Sequence, residues 1–168
     1  MNRQANTAQA HQSYQRAQVE SASPEKLILM LYDGAIRKLN QAESRFEKGD
    51  EETFLVETTK VQKIVSELMG ALDHEQGGEI SQNLSRLYDY MVRQLSLAQV
   101  RKETKLLAEV RSLLEELREG WRGVIEKLSE SQETASDRKG LDSLVRPKTF
   151  KFPEKALEGM LPTLNIAG

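Results

Sequence analysis

No cysteine occurs among the 168 residues, so disulfide frameworks, zinc ribbons and thiol nucleophiles are excluded. Aromatic residues make up only 5 % of the chain, and His11 and His74 are its only histidines. Neither follows a glutamate at three residues' distance, so the Glu-x-x-His pairs of a bundle-core di-iron site have no material. Lysine and arginine form no block, and 24 basic residues nearly cancel 26 acidic ones, which removes the electrostatic basis for following a phosphate backbone. Long hydrophobic runs are missing too: nothing approaches the roughly 18 apolar residues of a membrane span, and "MNRQANTAQAHQSYQRAQ" has no signal-peptide core. These absences point to a soluble, cytoplasmic protein with no nucleic-acid partner and no membrane insertion.

Proline is absent between Pro24 and Pro147, which leaves that stretch free to be helical throughout. In "ASPEKLILM", Ser23 suits an N-cap, Pro24 the first helical position and Glu25 the positive end of the helix dipole. Apolar residues then recur at Ile28, Leu31, Ala35, Leu39, Ala42 and Phe46, until Gly49 breaks the pattern. Asp50 caps a second expected helix with Phe54, Val61, Ile64, Val65, Leu68 and Leu72 on one face, ending before the glycines of "DHEQGGEI". Ile80, Leu84, Leu87, Met91, Leu95 and Ala98 mark a third. After the charged break "VRKET", Leu106, Val110, Leu113, Leu117, Val124 and Leu128 mark a fourth.

Helices of about twenty residues are roughly 30 Å long, and short connections make neighbours antiparallel. The spacing therefore predicts an all-α fold, an antiparallel up-down-up-down four-helix bundle over 23–128, between an N-terminal segment (1–22) and a C-terminal extension (129–168). The frame Leu-Tyr-Asp-x-x-(Ile/Val)-Arg-x-Leu is written twice, as "LYDGAIRKL" from Leu31 and "LYDYMVRQL" from Leu87. First and third helices of such a bundle run the same way, so the two copies are read as equivalent positions. In that reading Leu31 and Leu87 serve the core, and Asp33 with Arg37, and Asp89 with Arg93, pair along the surface.

Catalytic and cofactor sites find little support. "DHE" at Asp73 to Glu75 reads as a solvated turn rather than a metal site. Gly77 and Gly78 read as a turn between helices, since Glu75 and Glu79 would repel a phosphate. Trp121 is expected in the core. Neither an enzyme nor a resident cofactor or metal is expected. Apolar residues nevertheless exceed one stripe per helix: Leu27, Leu29, Met30, Tyr32, Leu55, Val56, Tyr88, Tyr90, Leu107 and Leu114 lie beside or opposite the core positions. The surplus implies a broad core or a second surface, covered by the chain's own tails or offered to another protein's helix.

"SPEKLILMLYDGAIRKLNQA", "ALDHEQGGEISQNLSRLYDYMVRQLSLA" and "LAEVRSLLEELREGW" closely resemble the bacterial flagellar secretion chaperones, the FliS family, in order from about Tyr14 to Leu128. The resemblance implies a cytoplasmic helical bundle that binds flagellin before its export through the flagellar type III apparatus, with no enzymatic activity. It implies further that the client contributes a disordered C-terminal segment, which wraps the bundle, and that the client-loaded chaperone meets the export apparatus. An N-terminal tyrosine and valine cover part of the binding surface in that family, and "YQRAQV" puts Tyr14 and Val19 at those positions. Ile64, Leu68, Leu84, Leu87, Tyr88 and Met91 are the expected groove residues. A self-associating adaptor bundle is the alternative, and the expected state is a monomer or weak homodimer.

Beyond Leu128 the chain departs from the resemblance. "SESQETASDRKG" reads as a polar linker, and "LDSLVRPKTFKFPEKALEGMLPTLNIAG" holds three prolines, an alternating "TFKF" and a short amphipathic turn around Ala156 to Leu161. Phe150, Phe152, Leu157, Met160 and Leu161 make it too apolar for a pure spacer, so docking on the bundle is weighed there against disorder.

Overall fold

A computed structural model describes residues 17–19 and 21–135. Four long helices fill it: α1 (Pro24–Glu47), α2 (Glu51–Gly70), α3 (His74–Arg101) and α4 (Thr104–Ala135). Ser23 is extended, and its side chain accepts from Lys26 N at 3.3 Å, so α1 begins where the capping signal put it. Its last turn closes through Gly49 N donating to Phe46 O at 2.9 Å, with Gly49 at φ 79°, a conformation that costs glycine nothing. Asp50 then accepts from both Thr53 N, at 3.0 Å, and Thr53 Oγ1, at 2.7 Å, and starts α2.

The glycine pair interrupts helical geometry, as the turn reading expects: a helical turn begins at His74, with Gly77 N donating to Asp73 O at 2.8 Å, Gly78 (φ 50°, ψ −131°) breaks it, and the long run to Arg101 follows. Glycine tolerates that conformation. Lys102, at φ 56°, turns the chain into α4, which runs through Ala135 rather than fading at Leu128.

Each helix packs against the next, and α4 returns to α1; of these four pairings α3–α4 is the sparsest. Connections of only a few residues make the neighbours antiparallel, giving the up-down-up-down bundle. Ile28, Leu31, Ala35, Leu39 and Ala42 from α1, and Phe54, Val61, Ile64, Val65 and Leu68 from α2, are buried as the spacing predicts. On α3 Met91, Leu95 and Ala98 are buried as expected, joined by Tyr88; on α4 Val110 is, but Leu107 and Leu114 take the places expected for Leu106 and Leu113. Leu84, Leu87, Leu106, Leu113 and Leu117 are only half-buried against this core. Ile80, expected in the core, is 66 % exposed.

The twin frames meet at their tyrosines. Tyr32 and Tyr88, equivalent residues of diagonal helices, join their buried hydroxyls at 2.6 Å. Of the broad core and the second surface that the apolar surplus implies, these two tyrosines belong to the core. Burial raises both phenols above the ordinary tyrosine range, Tyr88 further because Tyr32 adds to the effect, whereas the hydrogen bond from its partner partly offsets the rise at Tyr32. Of the expected surface pairs, Arg93 and Asp89 do meet, at 2.8 Å. Asp33 instead receives Arg118 of α4, at 3.2 Å, because its flank of α1 faces that helix.

The hydroxyl pair makes a prediction. Tyr88→Phe leaves the Tyr32 hydroxyl buried without its partner, at a cost of about 1 to 3 kcal/mol. Adding Tyr32→Phe removes the stranded group, so the double variant is expected to be no less stable than the single one. Urea unfolding of the two single variants and the double variant measures the coupling. Strictly additive losses would contradict it.

Candidate functional site

The contacts of its arginines show which flank of α4 lies on α1. Arg111 donates to Asn40 Oδ1 at 2.8 Å and pairs with Glu43, and Arg118 pairs with Asp33, so this flank lies on α1. Trp121 Nε1 also donates to Glu25 O of α1, at 2.9 Å. The opposite flank carries Leu106, Leu113 and Leu117, half-buried, and Val124, 38 % exposed.

On α3, Ser96 and Gln99 face α2, accepting from Gln62 Nε2 and donating to Thr59 Oγ1 respectively, both at 2.9 Å. The other flank carries Leu84, Leu87 and Tyr90. Tyr90 donates its hydroxyl to Glu109 of α4 and accepts from Gln94 Nε2 at 2.6 Å. Its hydrogen bond to Glu109 raises the phenol above its usual range, since the carboxylate favours the protonated form.

The Tyr90–Glu109 link sets the register between α3 and α4. Antiparallel packing then carries Leu87 past Leu113 and Leu84 past Leu117, and leaves Val124 more than a turn beyond Ile80. An apolar seam results where the helices pack least closely. From Leu106 to Val124 it runs about 27 Å along α4, the length of an eighteen-residue helix. Leucine faces with a single polar bridge can hold the apolar stripe of an amphipathic helix. Leu55, Val56 and Val100 are also exposed, on α2 and α3, and Gln99 Nε2 donates to Leu55 O at 3.2 Å.

Of the residues singled out from the sequence, Leu84 and Leu87 lie on this seam. Ile64, Leu68, Tyr88 and Met91 do not: each is at most 1 % exposed within the core and offers a partner no surface in this conformation. Val19, upstream of α1, is 5 % exposed and belongs to the core cluster. Tyr14 lies outside the described residues. Tyr90, Leu106, Leu113, Leu117 and Val124 were not singled out as site residues. The doublets Leu106-Leu107 and Leu113-Leu114 are the signal: two seven-residue-spaced stripes run side by side, and spacing alone does not say which faces inward.

Among the described residues no cluster of His, Asp and Glu is arranged to hold a metal ion, and no helix is long and apolar enough to cross a membrane.

The family model described as "Flagellar protein FliS" matches residues 6–128. The chain is 40 % identical over 128 residues to the flagellar secretion chaperone FliS of Salmonella typhimurium, covering 73 % of this chain and 95 % of that one. It is 40 % identical over 108 residues to the flagellar secretion chaperone FliSB of Pseudomonas aeruginosa, covering 64 % of this chain and 86 % of that one. To the flagellar secretion chaperone FliS of Bacillus subtilis it is 33 % identical over 114 residues, with 68 % and 84 % covered.

Proposed function

The chain belongs to the FliS family of flagellar secretion chaperones, and from that premise we propose that it captures the C-terminal segment of flagellin in the bacterial cytosol, along the α3–α4 seam. The observation that carries this reading is the row of half-buried leucines, Leu84, Leu87, Leu106, Leu113 and Leu117, flanked by the exposed Tyr90 and Val124. A closed bundle with no partner gains little by leaving such a row open to water.

A segment that becomes helix in a packed filament exposes apolar stripes while it waits, and those stripes favour assembly too early. Laying them into the seam prevents it. Because the client orders as it binds, about 2 to 5 kcal/mol of the gross contact energy is consumed, which keeps an extensive interface releasable to the export apparatus. Titration calorimetry with flagellin, and with flagellin lacking its last segment, tests the reading. One-to-one binding that disappears with the segment is expected; binding indifferent to its removal would refute the proposal. Light scattering separates it from a self-associating adaptor, which would stay dimeric with or without flagellin.

The N-terminal segment is proposed to shield part of the client surface. Val19 is held among core side chains although it precedes α1, a contact that can be given up without unwinding the bundle. Val19→Asp places a charge where burial is unfavourable and should release the segment, tightening flagellin peptide binding about fivefold, or about 1 kcal/mol. Calorimetry showing equal or weaker binding by the variant would count against shielding.

A further inference from the structure

We propose that the C-terminal extension, through Phe150, Phe152, Leu157, Met160 and Leu161, docks on the α3–α4 seam of its own chain, so that a client must displace it. The competition rests on the seam being the client site; the docking stands on separate observations. First, the family match ends at residue 128, and the Salmonella relative is covered over 95 % of its length by only 73 % of this chain. The apolar content of 148–168 therefore belongs to no part of the shared bundle. Second, the segment is written as an occupant. Pro153 and Pro162 bracket "EKALEGML", where Ala156, Leu157, Met160 and Leu161 recur at the spacing of one helical face, and "TFKF" before it alternates as an extended strip does.

Third, the chain reaches the seam by the seam's own wall. Helix α4 is described as far as Ala135, about 16 Å beyond Val124 at 1.5 Å per residue. Residues 136–149 can span up to about 46 Å when extended, and about 20 Å as a coil. Phe150 can thus stand beside Val124 with 151–161 running back toward Leu106. Fourth, the charges suit the contact. Arg146, Lys148, Lys151 and Lys155 accompany the apolar residues, while Glu109 and Glu116 lie exposed on α4. Arg111 and Arg118 of the same helix are turned to acids of α1.

Because the chain has no cysteine, Lys155→Cys gives one attachment point for a nitroxide in the full-length protein. Attenuated NMR signals at Leu84, Leu87, Leu113 and Leu117 are expected, with none when label and isotope sit on different molecules. No attenuation, attenuation on another face, or attenuation only in the mixed sample, which would make a second copy the occupant, overturns the proposal. A tail at an effective concentration of about 1 mM and of weak affinity lowers client binding about tenfold. The full chain carrying Phe150→Ser, Leu157→Ser and Met160→Ser should therefore bind a flagellin C-terminal peptide about tenfold more tightly, and unchanged affinity overturns the competition. Attenuation at the seam with peptide bound by neither chain would refute the flagellin reading while establishing that the tail docks.

Discussion

Leu87→Glu is expected to weaken capture of flagellin's C-terminal segment by about a hundredfold, roughly 2.7 kcal/mol. Leu87 sits midway along the seam, where an occupying helix would seal it from water. A carboxylate there would be buried without a cation, on the same face of the bundle as the Tyr90–Glu109 bridge. Since Leu87 also packs against the core, the substitution costs the bundle about 1 kcal/mol itself, so a variant with no such burden is needed beside it. Val124→Glu serves: Val124 is 38 % exposed at the end of the seam, and a loss of about tenfold is expected there. Val56→Glu makes the same charge change at a site 46 % exposed and away from the seam, and should bind as the unaltered chain does. Calorimetry on the three folded variants decides. If the seam variants behave like Val56→Glu, the client lies elsewhere.

Glu57→Ala is expected to cost about 3 kcal/mol of stability, the largest loss anticipated for a single change outside the apolar core. Lys38 and Glu57 are 5 % and 8 % exposed at the α1–α2 contact, with Lys38 Nζ 3.3 Å from Oε2 and Lys60 Nζ 2.5 Å from Oε1. Removing the carboxylate leaves one ammonium buried and a second beside it. Lys38→Met combined with Glu57→Ala takes away the stranded charge and should recover most of the loss; chemical denaturation of both variants measures this.

The same cluster shapes the pH dependence. Burial pushes the Glu57 carboxyl up, but the hydrogen bond from Lys60 and the charges of Lys38 and Lys60 outweigh it and hold the group below its ordinary 4.5. A carboxyl depressed in the fold contributes stability above its unfolded value, and that contribution disappears as pH falls through the folded one. Lys38 is lowered from 10.5, chiefly by burial, so its charged form is disfavoured in the fold at neutral pH and the penalty lifts only as pH rises toward 10.5. Below about pH 5, therefore, the double variant should lose stability less steeply than the native chain. Parallel acid slopes would mean the cluster contributes nothing there.

Local signals with one physical answer were legible in the sequence. Ser23 before Pro24, Asp50 after Gly49 and the charged break at Lys102 fixed element boundaries because capping and positive φ are decided within a few residues. The single stripes of α1 and α2 fixed which side of those helices faces inward, and the FliS family was readable from the words themselves. Gly78 belongs with them: the turn read from the glycine pair is where helical geometry breaks.

Tertiary packing decided the rest. The frame repeated at Leu31 and Leu87 identified equivalent positions, yet only the assembled bundle shows that its tyrosines meet across the core and that Asp33 turns to Arg118. The doublets on α4 offered two interchangeable leucine lines, and the choice fell to Leu107 and Leu114 in the packing that also brings Arg111 and Arg118 to acids on α1. That choice moved Leu106, Leu113 and Leu117 from the expected core to the seam. Periodicity gives each helix an apolar side, whereas the angle at which two sides meet is set by contacts between residues far apart in the chain. A surface made from the part left over is therefore visible only once the helices are packed.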